Sequence, residues 1–87
     1  MQKRRGICIP GYRWCGPGCS GPGAPTNSVD ACCMSHDACY RRFGPSRHCD
    51  QIFINCLQSK INPYTNQGRD AALFANVMKL RQAFRSF

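Results

Sequence analysis

Four aspartates are the only acidic side chains in this 87-residue chain, and three of them stand beside cysteine or histidine. They occur in Asp30-Ala31-Cys32-Cys33, His36-Asp37 and Cys49-Asp50, and only Asp70 lies elsewhere. A chain this poor in carboxylates that concentrates them so is using them. The plainer alternative is that they cap helices or pair with arginines. An imidazole oriented by a carboxylate, with no serine or cysteine nucleophile beside it, is a base that deprotonates water. His36 and Asp50 have the residue types for that pair, and the plainer reading is a buried histidine satisfied by Asp50 in an inert scaffold. Asp37 suits a different task. One carboxylate plus the free carbonyls of a Gly-Pro-Gly loop, here Gly16-Pro17-Gly18, makes an oxygen cage for a hard cation such as Ca²⁺.

The elements that must hold these groups can be read from punctuation and periodicity. Residues 1–27 read as loop, since glycine and proline recur at Gly11, Gly16-Pro17-Gly18, Gly21-Pro22-Gly23 and Pro25. Asn27 or Ser28 can cap a helix running to about Phe43, which Gly44-Pro45 breaks. Ser46 can cap a second helix over about 47–60, ended by Asn62-Pro63. A third, over about 69–86, opens after Gly68. The expected fold is therefore all-α, small and disulfide-rich, one domain over 1–87: a loop region, a helix hairpin over 28–60 and a C-terminal helix.

At 100° per residue, Val29, Cys32, Cys33, His36, Cys39, Tyr40 and Phe43 share one face of the first helix, with Asp30 and Asp37 at its edge. Cys49, Ile52, Phe53, Cys56 and Leu57 share a face of the second, with Asp50 at its edge. Leu73, Val77, Leu80, Phe84 and Phe87 make an apolar stripe on the third, expected to pack on the hairpin; the alternative is that part of it meets a membrane.

Eight cysteines in so short a chain read as four disulfides made in an oxidising place. A zinc module is the alternative, but the C-x-x-C pairs it needs are absent. Cys32 and Cys39 are seven apart on one helix, as are Cys49 and Cys56 on the other, a step of about 10.5 Å in each. The short link demands antiparallel helices, which match Cys39 with Cys49 and Cys32 with Cys56. Cys33 is left for a loop cysteine: Cys8, Cys15 or Cys19.

Twelve Lys and Arg against four Asp give a net charge of +8, which favours anionic partners. Nucleic acid is the weakest of these, for want of a motif or interleaved aromatics. Acidic lipid head groups or an acidic polymer remain, with Lys3-Arg4-Arg5, Arg13 and Trp14 either a lipid-contacting edge or simply solvated charge. Met1-Gln2-Lys3-Arg4-Arg5 is like a basic leader, but no apolar run follows, so no signal peptide is read.

Taken together these motifs resemble a known family. D-A-C-C-M-S-H-D-A-C-Y, residues 30–40, is similar to the active-site helix of secreted phospholipases A2, D-x-C-C-x-x-H-D-x-C-Y. Trp14-Cys15-Gly16-Pro17-Gly18 resembles their calcium loop, and Cys49-Asp50 with Cys56 their partner helix. The Gly-Pro-Gly loop followed by Pro25-Thr26-Asn27 also resembles the compact phospholipase domain of parvovirus capsids. The resemblance implies calcium-dependent hydrolysis of the sn-2 ester of glycerophospholipids, and that the anionic partner is a phospholipid membrane surface. His36 would be the general base, Asp50 would orient it, and Tyr40 would hydrogen-bond to Asp50. Asp37 and the carbonyls of Trp14, Gly16 and Gly18 would bind Ca²⁺, and the Gly16 N–H would help to hold the oxyanion. Asp30 would support the loop. Cys15 would pair with Cys33, leaving Cys8 with Cys19, and the location would be secreted or otherwise extracytoplasmic.

Some family features are absent or altered. A basic, glycine-containing segment stands before the loop where the larger enzymes have a helix, Arg41–Arg47 is too short for their β-hairpin, and Cys19 replaces the second loop glycine. Tyr64 is the candidate for a second tyrosine on the aspartate. The competing function is a non-catalytic membrane-active or structural module on the same scaffold; degenerate members usually lose the histidine or aspartate, and this chain keeps both.

Overall fold

The structure, a computed structural model, describes residues 7–16 and 18–85, with side chains through 83. The basic Lys3-Arg4-Arg5 and Phe87 lie outside the described residues, as do Pro17 and the side chain of Phe84. Three helices follow one another: α1 (Ser28–Phe43), α2 (Arg47–Gln58) and α3 (Asn66–Arg85). No strand occurs among the described residues.

Each helix begins where a side chain satisfies its first N–H groups. The Asn27 side chain accepts from the N–H of Asp30 at 2.8 Å, and Ser46 Oγ accepts from the N–H of Cys49 at 3.1 Å. Helix α1 ends at Gly44, whose φ of +80° turns the chain as its N–H closes on the Tyr40 carbonyl at 2.7 Å. Helix α3 begins three residues earlier than the sequence suggests, because Thr65 Oγ1 accepts from the N–H of Gly68 at 2.9 Å. Gly68 is thus inside the first turn. A Cβ there would stand 2.3 Å from the Asn62 carbonyl oxygen, so its smallness lets the α2–α3 turn pass.

Helix α2 lies between the other two and packs on both, while α1 and α3 touch less. The disulfides Cys39–Cys49 and Cys32–Cys56 rivet α1 and α2 antiparallel at two levels. Such cross-links typically stabilise by about 2–4 kcal/mol each, chiefly by constraining the unfolded chain. Helix α3 runs back along α2: the Gln82 amide donates to the Arg47 carbonyl at 3.3 Å, and Ser28 Oγ donates to Gln67 at 2.9 Å at the other end.

The core is Val29, Cys32 and Cys33 from α1, Phe53, Ile54 and Leu57 from α2, and Ala71, Ala75 and Met78 from α3, closed by Tyr12 and Cys15 of the loop. Five expected core positions face outward: Phe43 is 66% exposed, Ile52 48%, and the α3 stripe of Leu73, Val77 and Leu80 between 49% and 61%. The cause is the placement of α2. Packed on two sides, it buries Phe53, Ile54 and Leu57, and α3 turns Ala71, Ala75 and Met78 inward.

Loop 7–27 is fastened to this frame in three ways. Cys15–Cys33 ties it to α1, Cys8–Cys19 closes it on itself, and the Tyr12 hydroxyl donates to Asp70 of α3 at 2.7 Å. Burial, and then the Asp70 bond, push the Tyr12 phenol up to about 12, so it stays a donor.

Candidate active site

His36 lies midway between the two α1–α2 disulfides, four residues after Cys32 and three before Cys39. Its Nε2 is 2.9 Å from Oδ1 of Asp50, which is fully buried, while the imidazole keeps 10% of its surface open. Asp50 sits in the first turn of α2, where the helix dipole favours negative charge. The Tyr40 hydroxyl, one turn along α1 from His36, donates to the same oxygen. A carboxylate can only accept, so Nε2 carries the hydrogen and Nδ1 keeps its lone pair. The arrangement is an imidazole held in one tautomer.

Phe53 completes the support, and sequence reasoning had assigned it only to the core. Its ring stacks on the imidazole at 4.3 Å and 15°, and the Tyr40 ring lies 4.2 Å away on a tilt. The signal was present, since Phe53 follows Asp50 by three residues on the same face. Tyr64 is 89% exposed on the turn before α3 and does not share the burial of Asp50. The supporting tyrosine on Asp50 is Tyr40.

Among the described residues no serine, threonine or cysteine is hydrogen-bonded to His36. All eight cysteines are in disulfides, and the hydrogen-bond partner of His36 is Asp50. Beside His36 runs an open groove of about 440 Å³ between α1 and α2, walled by Ala38, Ile52, Phe53 and the two disulfides, with Ser35 and Arg42 as its polar members.

Asp30 organises the loop that faces the N-terminal half of α1. Its buried carboxylate accepts four main-chain N–H groups: Trp14 at 2.8 Å, Thr26 at 2.9 Å, Arg13 at 3.1 Å and Cys15 at 3.2 Å. Burial alone would raise its pKa, but the donors of Thr26, Trp14, Arg13 and Cys15 together hold it below the usual carboxylate range. The loop tip is equally constrained. Gly16 has a φ of +135°, and a Cβ on it would stand 2.1 Å from the Ile7 carbonyl oxygen. Only glycine fits there.

Asp37 is the unsatisfied member of the group. It is half-buried, and its Oδ2 is a buried oxygen without a hydrogen-bond partner. Desolvation raises its pKa to about 6, against the opposing pull of Arg41 one turn on and with a smaller push from Asp30. A buried, unpartnered carboxylate oxygen calls for a positive partner. Among the described residues no group of three or more His, Cys, Asp or Glu could hold a metal. A cation at Asp37 must therefore draw on neutral oxygens. The loop carrying Trp14, Gly16 and Gly18 is tied to Cys33, one turn before Asp37, through Cys15. The Gly16 carbonyl accepts from the Cys19 N–H at 3.1 Å and has a second lone pair to offer. One carboxylate with main-chain carbonyls is a donor set that suits a hard cation such as Ca²⁺.

Comparisons with known proteins identify a family. A family model described as "Phospholipase A2-like domain" matches residues 5–86. Capsid protein VP1 of porcine parvovirus is 31% identical over 70 residues, covering 79% of this chain and 10% of that protein. Phospholipase A2-alpha of Arabidopsis thaliana is 40% identical over 53 residues, covering 54% of this chain and 35% of the relative. The human membrane-associated phospholipase A2 is 38% identical over 45 residues, 52% of this chain and 31% of that enzyme. The chain thus spans about a tenth of the capsid protein and about a third of each of these two phospholipases. No solved structure matches it.

Proposed function

The chain belongs to the phospholipase A2-like family, and on that premise we propose that it hydrolyses the sn-2 ester of glycerophospholipids in a calcium-dependent reaction at a membrane surface. The observation that carries this reading is the Asp50–His36 pair: an imidazole with one tautomer enforced and, among the described residues, no hydrogen bond to a serine, threonine or cysteine. Its target is therefore water.

In the proposed reaction Nδ1 of His36 takes a proton from water as the oxygen attacks the ester carbonyl. Asp50 holds the imidazolium that forms, and Tyr40 holds Asp50. The ring then returns the proton to the departing alkoxide, releasing fatty acid and lysophospholipid. Phe53 keeps the imidazole from rotating away between the two transfers. The Gly16 N–H would donate to the developing oxyanion, and the groove beside His36 offers apolar walls to an aliphatic chain. Asp37 with the carbonyls of Trp14, Gly16 and Gly18 would hold Ca²⁺, which supplies positive charge to the substrate phosphate and to the carbonyl oxygen. The four disulfides favour an oxidising, extracytoplasmic location.

The test is fatty-acid release from sn-2-labelled phosphatidylglycerol vesicles with calcium or with a chelator. Release that requires calcium and stops in His36→Gln supports the proposal. If the folded wild-type chain releases nothing while still adsorbing to the vesicles, the scaffold is a binding module and the catalytic reading fails.

A further inference from the structure

Helix α3 has two apolar faces, and the core uses only one. Ala71, Ala75 and Met78 are buried, whereas Leu73, Val77 and Leu80 are 57%, 49% and 61% exposed. At 100° per residue the outer three lie within about 60° of one another and roughly opposite the inner three. They are a contiguous stripe one to two turns long, turned away from the rest of the chain.

The charge around this stripe is one-sided. Arg69, Lys79 and Arg81 on the same helix are exposed. None of the four aspartates is. Asp30 and Asp50 are fully buried, Asp37 is half-buried, and Asp70 is partly buried and bonded to Tyr12. The chain has no glutamate, so no acidic side chain is exposed to balance the cations. A second copy stacked on the stripe would bring arginines against arginines with no exposed acidic side chain to pair them. A surface with hydrocarbon beneath phosphate matches both features.

We propose that the outer face of α3, Leu73, Val77 and Leu80 flanked by Arg69 and Arg81, is a docking surface for an anionic lipid bilayer. The three aliphatic side chains enter the headgroup–acyl boundary, and the cations meet lipid phosphates. Each engaged Lys or Arg contributes about fivefold to partitioning, so the two contribute on the order of twenty-fivefold. The inference rests on the phospholipase reading only for its choice of lipid as the partner.

The experiment measures partitioning onto phosphatidylglycerol and phosphatidylcholine vesicles by sedimentation, in a His36→Gln background so that the lipid is not consumed. The combined Leu73→Ser, Val77→Ser, Leu80→Ser variant is expected to lose at least about tenfold on phosphatidylglycerol. The Arg81→Glu variant, which leaves the aliphatic stripe intact, should lose a similar factor on that lipid and little on phosphatidylcholine. With His36 restored, both should turn over a monomeric short-chain phospholipid as the wild type does. Undiminished partitioning of both variants overturns the proposal. So does a lipid-free dimer, seen by sedimentation equilibrium, that the serine variant dissociates, since the stripe then belongs to a second copy. If partitioning falls as expected while the wild type never hydrolyses the short-chain substrate, the docking surface stands and the phospholipase reading falls.

Discussion

The ring of Phe53 stacks on that of His36 at 4.3 Å and within 15° of parallel. With Asp50 on Nε2, this fixes the imidazole both along its edge and across its face. Phe53→Leu keeps an apolar side chain in the buried position but removes the flat face. The expected result is roughly a tenfold drop in turnover of a monomeric substrate, from weaker orientation, with the substrate KM little changed. Kinetics and the ¹⁵N imidazole spectrum of the variant check it. A change in stability alone, with turnover intact, would make Phe53 only a core residue.

Tyr40 and His36 separate support from chemistry. His36→Gln should reduce hydrolysis by at least about 10⁴-fold, because the base also generates the nucleophile. Tyr40→Phe removes one donor from Asp50 and leaves Nε2 its partner, so the loss should be nearer tenfold. Circular dichroism and the disulfide map should be unchanged in both. Equal losses would mean that the hydroxyl, too, touches the reacting atoms.

The hairpin and its site were legible because cysteine spacing and helix periodicity speak to the same question. Two seven-residue steps and a link of Gly44–Ser46 allow one antiparallel register, and that register sets the His36 and Asp50 stripes facing each other. Helix α3 was less legible. Hydrophobicity marked Leu73, Val77 and Leu80 for the core, but the face of α3 that is buried carries Ala71, Ala75 and Met78. Gly68 read as a break because smallness for packing and freedom for turning look alike in sequence. The hold of Asp30 on Arg13, Trp14 and Cys15 depends on loop geometry that no periodicity encodes.

Asp30→Asn tests that hold. An amide accepts at one oxygen only, so at least one of the four N–H groups would face an NH₂ instead. The expected loss is about 3 kcal/mol by urea unfolding at pH 7 with disulfides intact. The Asp30 pKa is depressed in the folded chain, so its contribution is present above the unfolded value of 3.8 and fades as pH falls through the lower folded value. The gap between wild type and variant should therefore narrow at pH 2–3. A gap that is independent of pH would assign the loss to shape rather than charge.

Asp37 predicts a crossing of stabilities. Its folded pKa of about 6 lies above the unfolded 3.8, so the native state keeps a proton that the unfolded chain releases. Without calcium, this group makes stability fall as pH rises from about 4 to about 6, and the cost persists at neutral pH. Asp37→Asn has no charge to bury. In chelator at pH 7 the variant should melt above the wild type, and the difference should vanish near pH 4. Calcium reverses the order, because the cation needs the ionised carboxylate and stabilises only the chain that has it. Proton and cation compete for one site, so calcium affinity should drop about tenfold per pH unit below about 6. Thermal unfolding of both chains at pH 4 and pH 7, with calcium or chelator, covers every arm. A wild type that stays the more stable chain in chelator at pH 7 would show that Oδ2 of Asp37 is not a buried, unpartnered charge. Equal stabilisation of both chains by calcium would move the cation to another site.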